Sequence, residues 1–482
     1  MRILNIYNNQ PPVLKATLWF TVCNIITAGL NFISAPIFTR LLSESEYGIL
    51  AILMTYEQLF LIFSTWSIQI GGYQKGVFVY KDNINIFTKN TVLLINVLTI
   101  SFFAICYVFK GSVINITGAT NFSLFALFLF MFITPSYQCW LVRKRTNYDY
   151  KKAVPVTLLY AIFNIIIPIA ALKFIGATAN IKFSAFLLSA SFFCIYFYIS
   201  SISTKEKIVK EELTSQWKYL LAYQGPLVIH SLSYLVLNMA DRVMIGKMVG
   251  NEQAAFYTIA YSLAFTISIV QNSINQAMGP WRYHKLEEKN YSTIGSSTNG
   301  LLIFFGGIIL TFILVAPEIL KLFFTESYYE AVWCIPPVTC GIFFIFLYDI
   351  FVTVETYYEK TSYVMYVSLI CGIVNIVLNY FGIKYFGYIA SAYTTLLSYL
   401  LYATLHYVMM KKVSKECIGG IEIFDKKKII IISISILVLS IGMIFIYPYP
   451  VIRYILLAIV LGIAYYYKEV IISLLNQFKS KL

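Results

Sequence analysis

Ionisable side chains are sparse in the apolar stretches of this 482-residue chain, so each is a candidate for chemistry rather than for solvation. Lys75 and Arg282 lie at the ends of two such stretches, on the same side. Together they suit an oxyanion, Arg as a planar fork and Lys as a point charge. Ordinary flanking charge explains them equally simply. Arg40 and Lys247 lie on the opposite side, where basic residues are scarce. They suit an anion there, or an ion pair with Glu44, Glu46 or Glu252 that closes a gate or ties a loop. Asp241 and Arg242 are adjacent within one stretch, and a structural pairing or a cavity role fits both. Glu57 has no cation at helical spacing, so it faces a polar space or is protonated. His230 titrates near neutrality. Glu57 and His230 are therefore the ion-coupling candidates, with hydrogen-bonded packing as the plain alternative for the histidine. Asp349 and Glu355 are six residues apart and fall on different helix faces. His284 and His406 read as interfacial residues without a role.

The elements that must position these groups are fourteen apolar stretches, numbered here as spans. They cover residues 16–38, 48–70, 88–109, 120–142, 153–174, 180–200, 218–246, 253–279, 298–320, 331–354, 362–382, 387–409, 429–447 and 451–471. Nearly all reach the ~17–25 residues that cross ~30 Å of hydrocarbon as a helix. In lipid the backbone must satisfy itself, which selects helix for runs this long. Apolar residues make up 59% of the chain and charged residues 12%. The expected fold class is an all-α integral membrane protein with 14 transmembrane helices.

The net charge of +14 raises nucleic acid as a partner, but the placement of the charge argues against it. Alternate connectors hold 27 of the 36 Lys and Arg residues, and the intervening ones hold 9. The basic side faces the cytoplasm, which puts both termini there. The first run is too long and too poorly flanked for a cleaved signal peptide. Eight cysteines fall mostly within spans and none forms a Cys-x-x-Cys pair, so no metal site, cofactor or disulfide framework is expected. No Gly-rich nucleotide loop is present, and no long external loop carries paired acidic or Ser/His groups.

The chain also repeats itself. At an offset of 207, residues 31–75 align without gaps on 238–282, placing Asn31 on Asn238, Arg40 on Lys247, Gln69 on Gln276 and Lys75 on Arg282. "NIIIPIAALKFIG" (164–176) falls on "NIVLNYFGIKYFG" (375–387) at an offset of 211. Polar residues recurring in order indicate a duplication of spans 1–6 as spans 7–12, in one orientation. The expected organisation is an N-terminal six-helix lobe (1–205), a C-terminal six-helix lobe (206–415), and spans 13 and 14 with a tail (416–482). The lobes would be related by a pseudo-two-fold along the membrane normal.

The stretches "FISAPIFTRLLSESEYGILAIL", "LNMADRVMIGKMVGNEQAAFYTIAYSL", "QAMGPWRYHKLEE" and "APEILKLFFTESYYEAVWCIPPV" resemble polysaccharide flippases of the multidrug/oligosaccharidyl-lipid/polysaccharide exporter superfamily. The resemblance runs along the whole chain. It implies two six-helix bundles around a cavity lined by spans 1, 2, 7 and 8, alternately open to each side, with spans 13 and 14 beside a polyprenyl tail. It implies undecaprenyl-pyrophosphate-linked oligosaccharide as cargo, as for O-antigen or capsule repeat units, with proton or sodium coupling left open. Lys75 and Arg282 would then meet the pyrophosphate, and Asp241-Arg242 matches a pair often seen in the superfamily. Pro36 and Pro226 would serve as hinges. Membrane lipids, a polysaccharide polymerase and a chain-length regulator are the implied partners, in the bacterial cytoplasmic membrane. Three alternatives remain: a drug/cation antiporter of the same fold, a peptidoglycan-precursor flippase, and, in another class, a membrane glycosyl polymerase or ligase. The chain is expected not to be an enzyme.

Overall fold

The computed structural model describes residues 12–204 and 208–466, and among these the regular structure is helical, with no strand. The chain forms two compact units, residues 1–235 and 236–482.

The first unit contains α1 (Pro12–Leu41), α2 (Glu44–Thr65), the short α3 (Gly72–Val79), α4 (Ile84–Val108), the short α5 (Lys110–Thr117), α6 (Asn121–Thr146), α7 (Tyr150–Phe174) and α8 (Ala179–Ile202). It closes with the first part of α9 (Lys210–Met248). Local chemistry sets the helix ends. Ser43 accepts from the Glu46 amide, with Glu44 and Glu46 in the first turn of α2. Thr120 and Thr178 cap α6 and α8 in the same way. At the other end of α2, Trp66 and Ser67 both take left-handed backbone angles, φ 53° and 52°. That stops the helix and redirects the chain into α3. Gly76 of α3 lies under the Phe87 ring, where a Cβ would come within 2.2 Å of it.

The second unit takes the rest of α9, then α10 (Asn251–Phe265), α11 (Ser268–Glu287), α12 (Tyr291–Phe323), α13 (Ile335–Tyr357), α14 (Thr361–Phe386), α15 (Ala390–Cys417), α16 (Lys426–Gly442) and α17 (Pro450–Tyr466). Its central element is α13, buried along most of its length and packed by α10, α11, α12, α14, α15 and α16. Helix α16 crosses α12 where Gly306 leaves room for Ile436. Helix α17 is tied to α12 by Arg453, whose two terminal nitrogens meet the two Glu318 carboxylate oxygens at 2.6 and 2.7 Å.

Between helices in lipid, close packing and interhelical hydrogen bonds replace the hydrophobic drive. The contacts follow that rule. In the first unit α6 packs most extensively on α8, which also holds α7. In the second, α13 packs most extensively on α15, which also holds α14. These are spans 4, 5 and 6 and their repeats, spans 10, 11 and 12. One buried polar pair is repeated with them: Ser189 donates to Asn164 at 2.8 Å between α7 and α8, and Asn375 donates to Ser398 at 3.1 Å between α14 and α15. These two helix triplets and their polar pairs are alike in contact order; the duplication itself stands as an expectation.

All fourteen predicted stretches contain helix, but the end of the last, beyond residue 466, lies outside the described residues. By length and apolarity, eleven helices among the described residues can cross a membrane, or twelve if the bent pair Lys210–Gly225 and Leu227–Met248, at 41° to each other, is one span. The count of fourteen therefore stands as an expectation. Besides the short α3 and α5, the helices α15 and α17 fall outside that tally. α15 spends part of its length on Thr394, Thr395, Ser398 and Tyr399, which face protein rather than lipid. The apolar part of α17 is short.

Candidate functional site

In the first unit, Glu57 of α2 is 2% exposed and accepts a hydrogen bond from the Gln58 side chain at 2.8 Å. The sequence spacing offers it no cation, but the fold does. Lys182 of α8, also buried, interacts electrostatically with Glu57. The Lys182 ammonium lies 4.8 Å from the centroid of the Phe38 ring and 5.4 Å from that of Phe186. Two opposite charges in an apolar box compensate one another, where either alone would be costly. Its one available signal in the sequence is its position inside span 6 rather than in a connector. Glu46, a candidate gate residue, instead accepts the Ala179 amide at 2.5 Å at the start of α8.

The first part of α9 is held firmly within the same unit. Gln224 accepts the Gly72 amide at 2.9 Å, Gln216 accepts from Asn90 at 2.9 Å, and the Trp217 indole donates to the Asn90 carbonyl at 2.8 Å. His230 is half-buried farther along α9. Lys75 is exposed on α3, and Arg40 is exposed at the end of α1. Outside the spans, the Lys144 ammonium bonds Asp149 at 2.7 Å and holds its carboxyl below the usual range.

In the second unit, Asp241 is 1% exposed and is gripped by the Tyr257 hydroxyl, the Arg242 amide at 2.9 Å and the Thr395 hydroxyl at 3.4 Å. Asn238, one turn earlier, accepts from Tyr399 at 2.7 Å and from Tyr261 at 3.0 Å. Arg242 stacks over the Tyr261 ring at 4.7 Å. This polar network joins the end of α9 to α10 and α15, and within it Arg242 Nε has no hydrogen-bond partner among the described residues. Lys247, farther along, is exposed.

Arg282 differs sharply from its repeat counterpart Lys75. It is 2% exposed, and its Nε and Nη2 have no hydrogen-bond partner among the described residues. Its electrostatic neighbour is Asp349 of α13. Asp349 accepts from Gln271 at 2.8 Å and from Asn275 at 2.6 Å, both on α11 with Arg282. The result is a buried guanidinium with donors to spare beside an anchored carboxylate, an arrangement that can receive an oxyanion. Sequence spacing brings Lys75 and Arg282 forward but does not show Asp349 as partner. It also leaves unseen the pairing of Glu355 with His406, at 3.0 Å and with both side chains wholly buried, which moves His406 from the interface into the core. Among the described residues, no group of three or more His, Cys, Asp and Glu side chains could hold a metal ion.

Two family models match overlapping parts of the chain. A family model described as "Polysaccharide biosynthesis protein" matches residues 13–284, and one described as "MatE" matches residues 226–381. Lsg locus putative protein 1 of Haemophilus influenzae is 23% identical over 281 residues, 58% of this chain and 67% of that protein. Among solved structures, lipid II flippase MurJ in an inward closed conformation aligns with a TM-score of 0.64 at 14% identity, covering 94% of this chain and 100% of that one. An inward-facing multidrug resistance MATE family transporter aligns with a TM-score of 0.54 at 14% identity, covering 83% and 96%. At these identities the solved structures establish the fold.

Proposed function

The chain belongs to the polysaccharide biosynthesis protein family, and from that premise we propose that this multi-pass membrane protein flips undecaprenyl-pyrophosphate-linked oligosaccharide across the bacterial cytoplasmic membrane by alternating access. The observation that carries the reading is Arg282, buried within the family-matched region with two unpartnered N–H groups. A pyrophosphate supplies the acceptors those groups lack. The sugar and the pyrophosphate cannot cross hydrocarbon unaided, because unpaired polar groups and charges are costly there. Asp349, anchored by two amides, fixes the guanidinium electrostatically without taking up those two donors.

Lys75, Arg40 and Lys247 are exposed and would meet the phosphates only transiently at either face. Asp241 and Arg242 serve through the network that fixes α9 in the second unit. Glu57, with Lys182, and His230 are the first unit's candidates for a coupling role. The bias of basic connectors supports cytoplasmic termini. A polymerase and a chain-length regulator would act on the transferred units.

Deleting the gene and complementing it with wild type or with Arg282→Ala tests this reading in cells. The deletion should abolish a surface polysaccharide and accumulate its lipid-linked unit while drug susceptibility stays unchanged, with complementation by wild type but not by Arg282→Ala. Loss of viability would point to a peptidoglycan precursor. Increased drug sensitivity with intact polysaccharide would point to drug export and overturn the proposal.

A further inference from the structure

We propose that Glu355 and His406 form a buried proton-binding site in the second unit, and that the proton held there drives transport. The coupling half of this statement rests on the flippase reading; the proton site itself does not. Glu355 Oε1 and His406 Nδ1 are 3.0 Å apart, and both side chains are 0% exposed. Glu355 Oε2 and His406 Nε2 have no hydrogen-bond partner among the described residues. A purely structural ion pair gains little over packed hydrophobes unless its remaining polar atoms are also satisfied. Two open positions, one on each partner, are what a site that gains and loses a proton requires.

The protons balance simply. With two protons shared between carboxylate and imidazole the pair is neutral, and with one it carries a single negative charge. The exchanged proton leaves to water and is replaced from water, with no other reactant.

The surroundings link this pair to the Arg282 site. The Tyr348 ring stacks on His406 at 5.5 Å, and the Tyr402 ring meets it edge-on at 4.7 Å. Ser368 of α14 bonds the Tyr402 hydroxyl at 2.8 Å. The Tyr348 side chain hydrogen-bonds its neighbour Asp349, the carboxylate beside Arg282. A charge arriving at Arg282 is therefore felt along Asp349 and Tyr348 as far as His406. Of the other charged groups at this end of the helices packed on α13, Lys412 lies over the Tyr363 ring and three lysines are paired with carboxylates. Lys360 pairs with Glu416 at 2.9 Å, Lys411 with Glu422 at 3.4 Å, and Lys428 with Asp425 at 3.5 Å. The tyrosines there are Tyr283 of α11, Tyr291 of α12, Tyr363 of α14 and Tyr407 of α15. Among the described residues, the ionisable side chain that Glu355 is seen to contact is His406.

The chain has three histidines, which makes the site directly observable. In full-length protein labelled with 15N-histidine in proteoliposomes, loss of a signal in His406→Gln assigns that resonance, and exposed His284 serves as internal reference. The His406 signal should report gain and loss of the shared proton across the pH range in which the protein stays folded. In Glu355→Gln its midpoint should move by at least about one pH unit, a tenfold change in proton affinity. A His406 signal invariant across that range, or a midpoint indifferent to Glu355→Gln, would overturn the site. For coupling, the ratio of flipping rates with and without an imposed pH gradient should be severalfold in wild type and fall to unity in Glu355→Gln and in His406→Gln. A ratio retained in both variants, or a sodium gradient replacing the proton gradient, would overturn the driving role. If one variant fails to fold, the other gives the ratio; if both fail, Glu355→Asp and His406→Asn, which keep a carboxylate and a polar side chain at the two positions, take their places in both measurements. If wild type moves no polyprenyl-linked saccharide, the flippase reading and the driving role both fail, and the titration still decides the proton site.

Discussion

Replacing Arg282 by methionine separates a buried charge partner from an ordinary flanking cation. Arg282 is 2% exposed and acts on Asp349, so its loss leaves a carboxylate buried beside α11. Removing one partner of a buried pair costs about 3–5 kcal/mol. Asp349 keeps the two amide donors, Gln271 at 2.8 Å and Asn275 at 2.6 Å. Those donors still solvate the stranded carboxylate in the variant, so the expected loss falls at or just below the low end of that range, about 2–3 kcal/mol. For a unit of this size, about 2–4 °C per kcal/mol gives a fall in Tm of about 4–12 °C. Thermal unfolding of the purified full chain in detergent, followed by tryptophan fluorescence, reads this directly. Asp349→Asn placed in the Arg282→Met background should restore at least half of the loss, because it removes the stranded charge. Exposed Lys75→Ala should stay within about 0.5 kcal/mol of wild type. An Arg282→Met variant as stable as wild type, or no recovery with Asp349→Asn, would refute the electrostatic argument.

Tyr257→Phe removes the phenolic donor to buried Asp241 and should cost about 1.5–3 kcal/mol, whereas Tyr261→Phe should cost about 1 kcal/mol because Tyr399 still donates to Asn238; paired thermal melts measure the difference. Gly295→Val should cost at least about 1–3 kcal/mol, since its Cβ would lie 2.5 Å from the Ile423 carbonyl oxygen, while Gly307→Ala, with nothing within 4 Å, should be nearly neutral by the same assay. Asp149 is held low by Lys144, so its contribution is present above the unfolded carboxylate pKa of ~3.9 and is lost as pH falls through the lower folded value. Asp149→Asn should therefore lower stability by up to about 1 kcal/mol at neutral pH, and the difference from wild type should vanish in acid melts.

The helices were legible because apolar length and alternating basic connectors are one-dimensional signals, and the residues that cap α2, α6 and α8 stand where those signals break. Asn164 and Asn375, which recur in the sequence, each meet a buried serine, a contact that residue order alone does not show. The charge partners were not legible. Lys182 reaches Glu57 from another helix, Asp349 reaches Arg282 across more than sixty residues, and His406 meets Glu355 across 51. No helical spacing encodes such contacts, which arise only when α8 packs on α2, or α15 and α11 pack on α13. Burial also divided residues that the repeat treats as equivalent, leaving Lys75 exposed and Arg282 enclosed.

The most direct test of the central claim is leaflet transfer by the purified protein in liposomes that hold undecaprenyl-pyrophosphate-linked oligosaccharide in one leaflet. A membrane-impermeant lectin or glycosidase scores the head groups that reach the other side. Wild type should deliver them well above protein-free liposomes, and Arg282→Ala should fall toward that background. No transfer of any polyprenyl-linked saccharide by wild type, together with transport of a cationic drug in the same vesicles, would contradict the account.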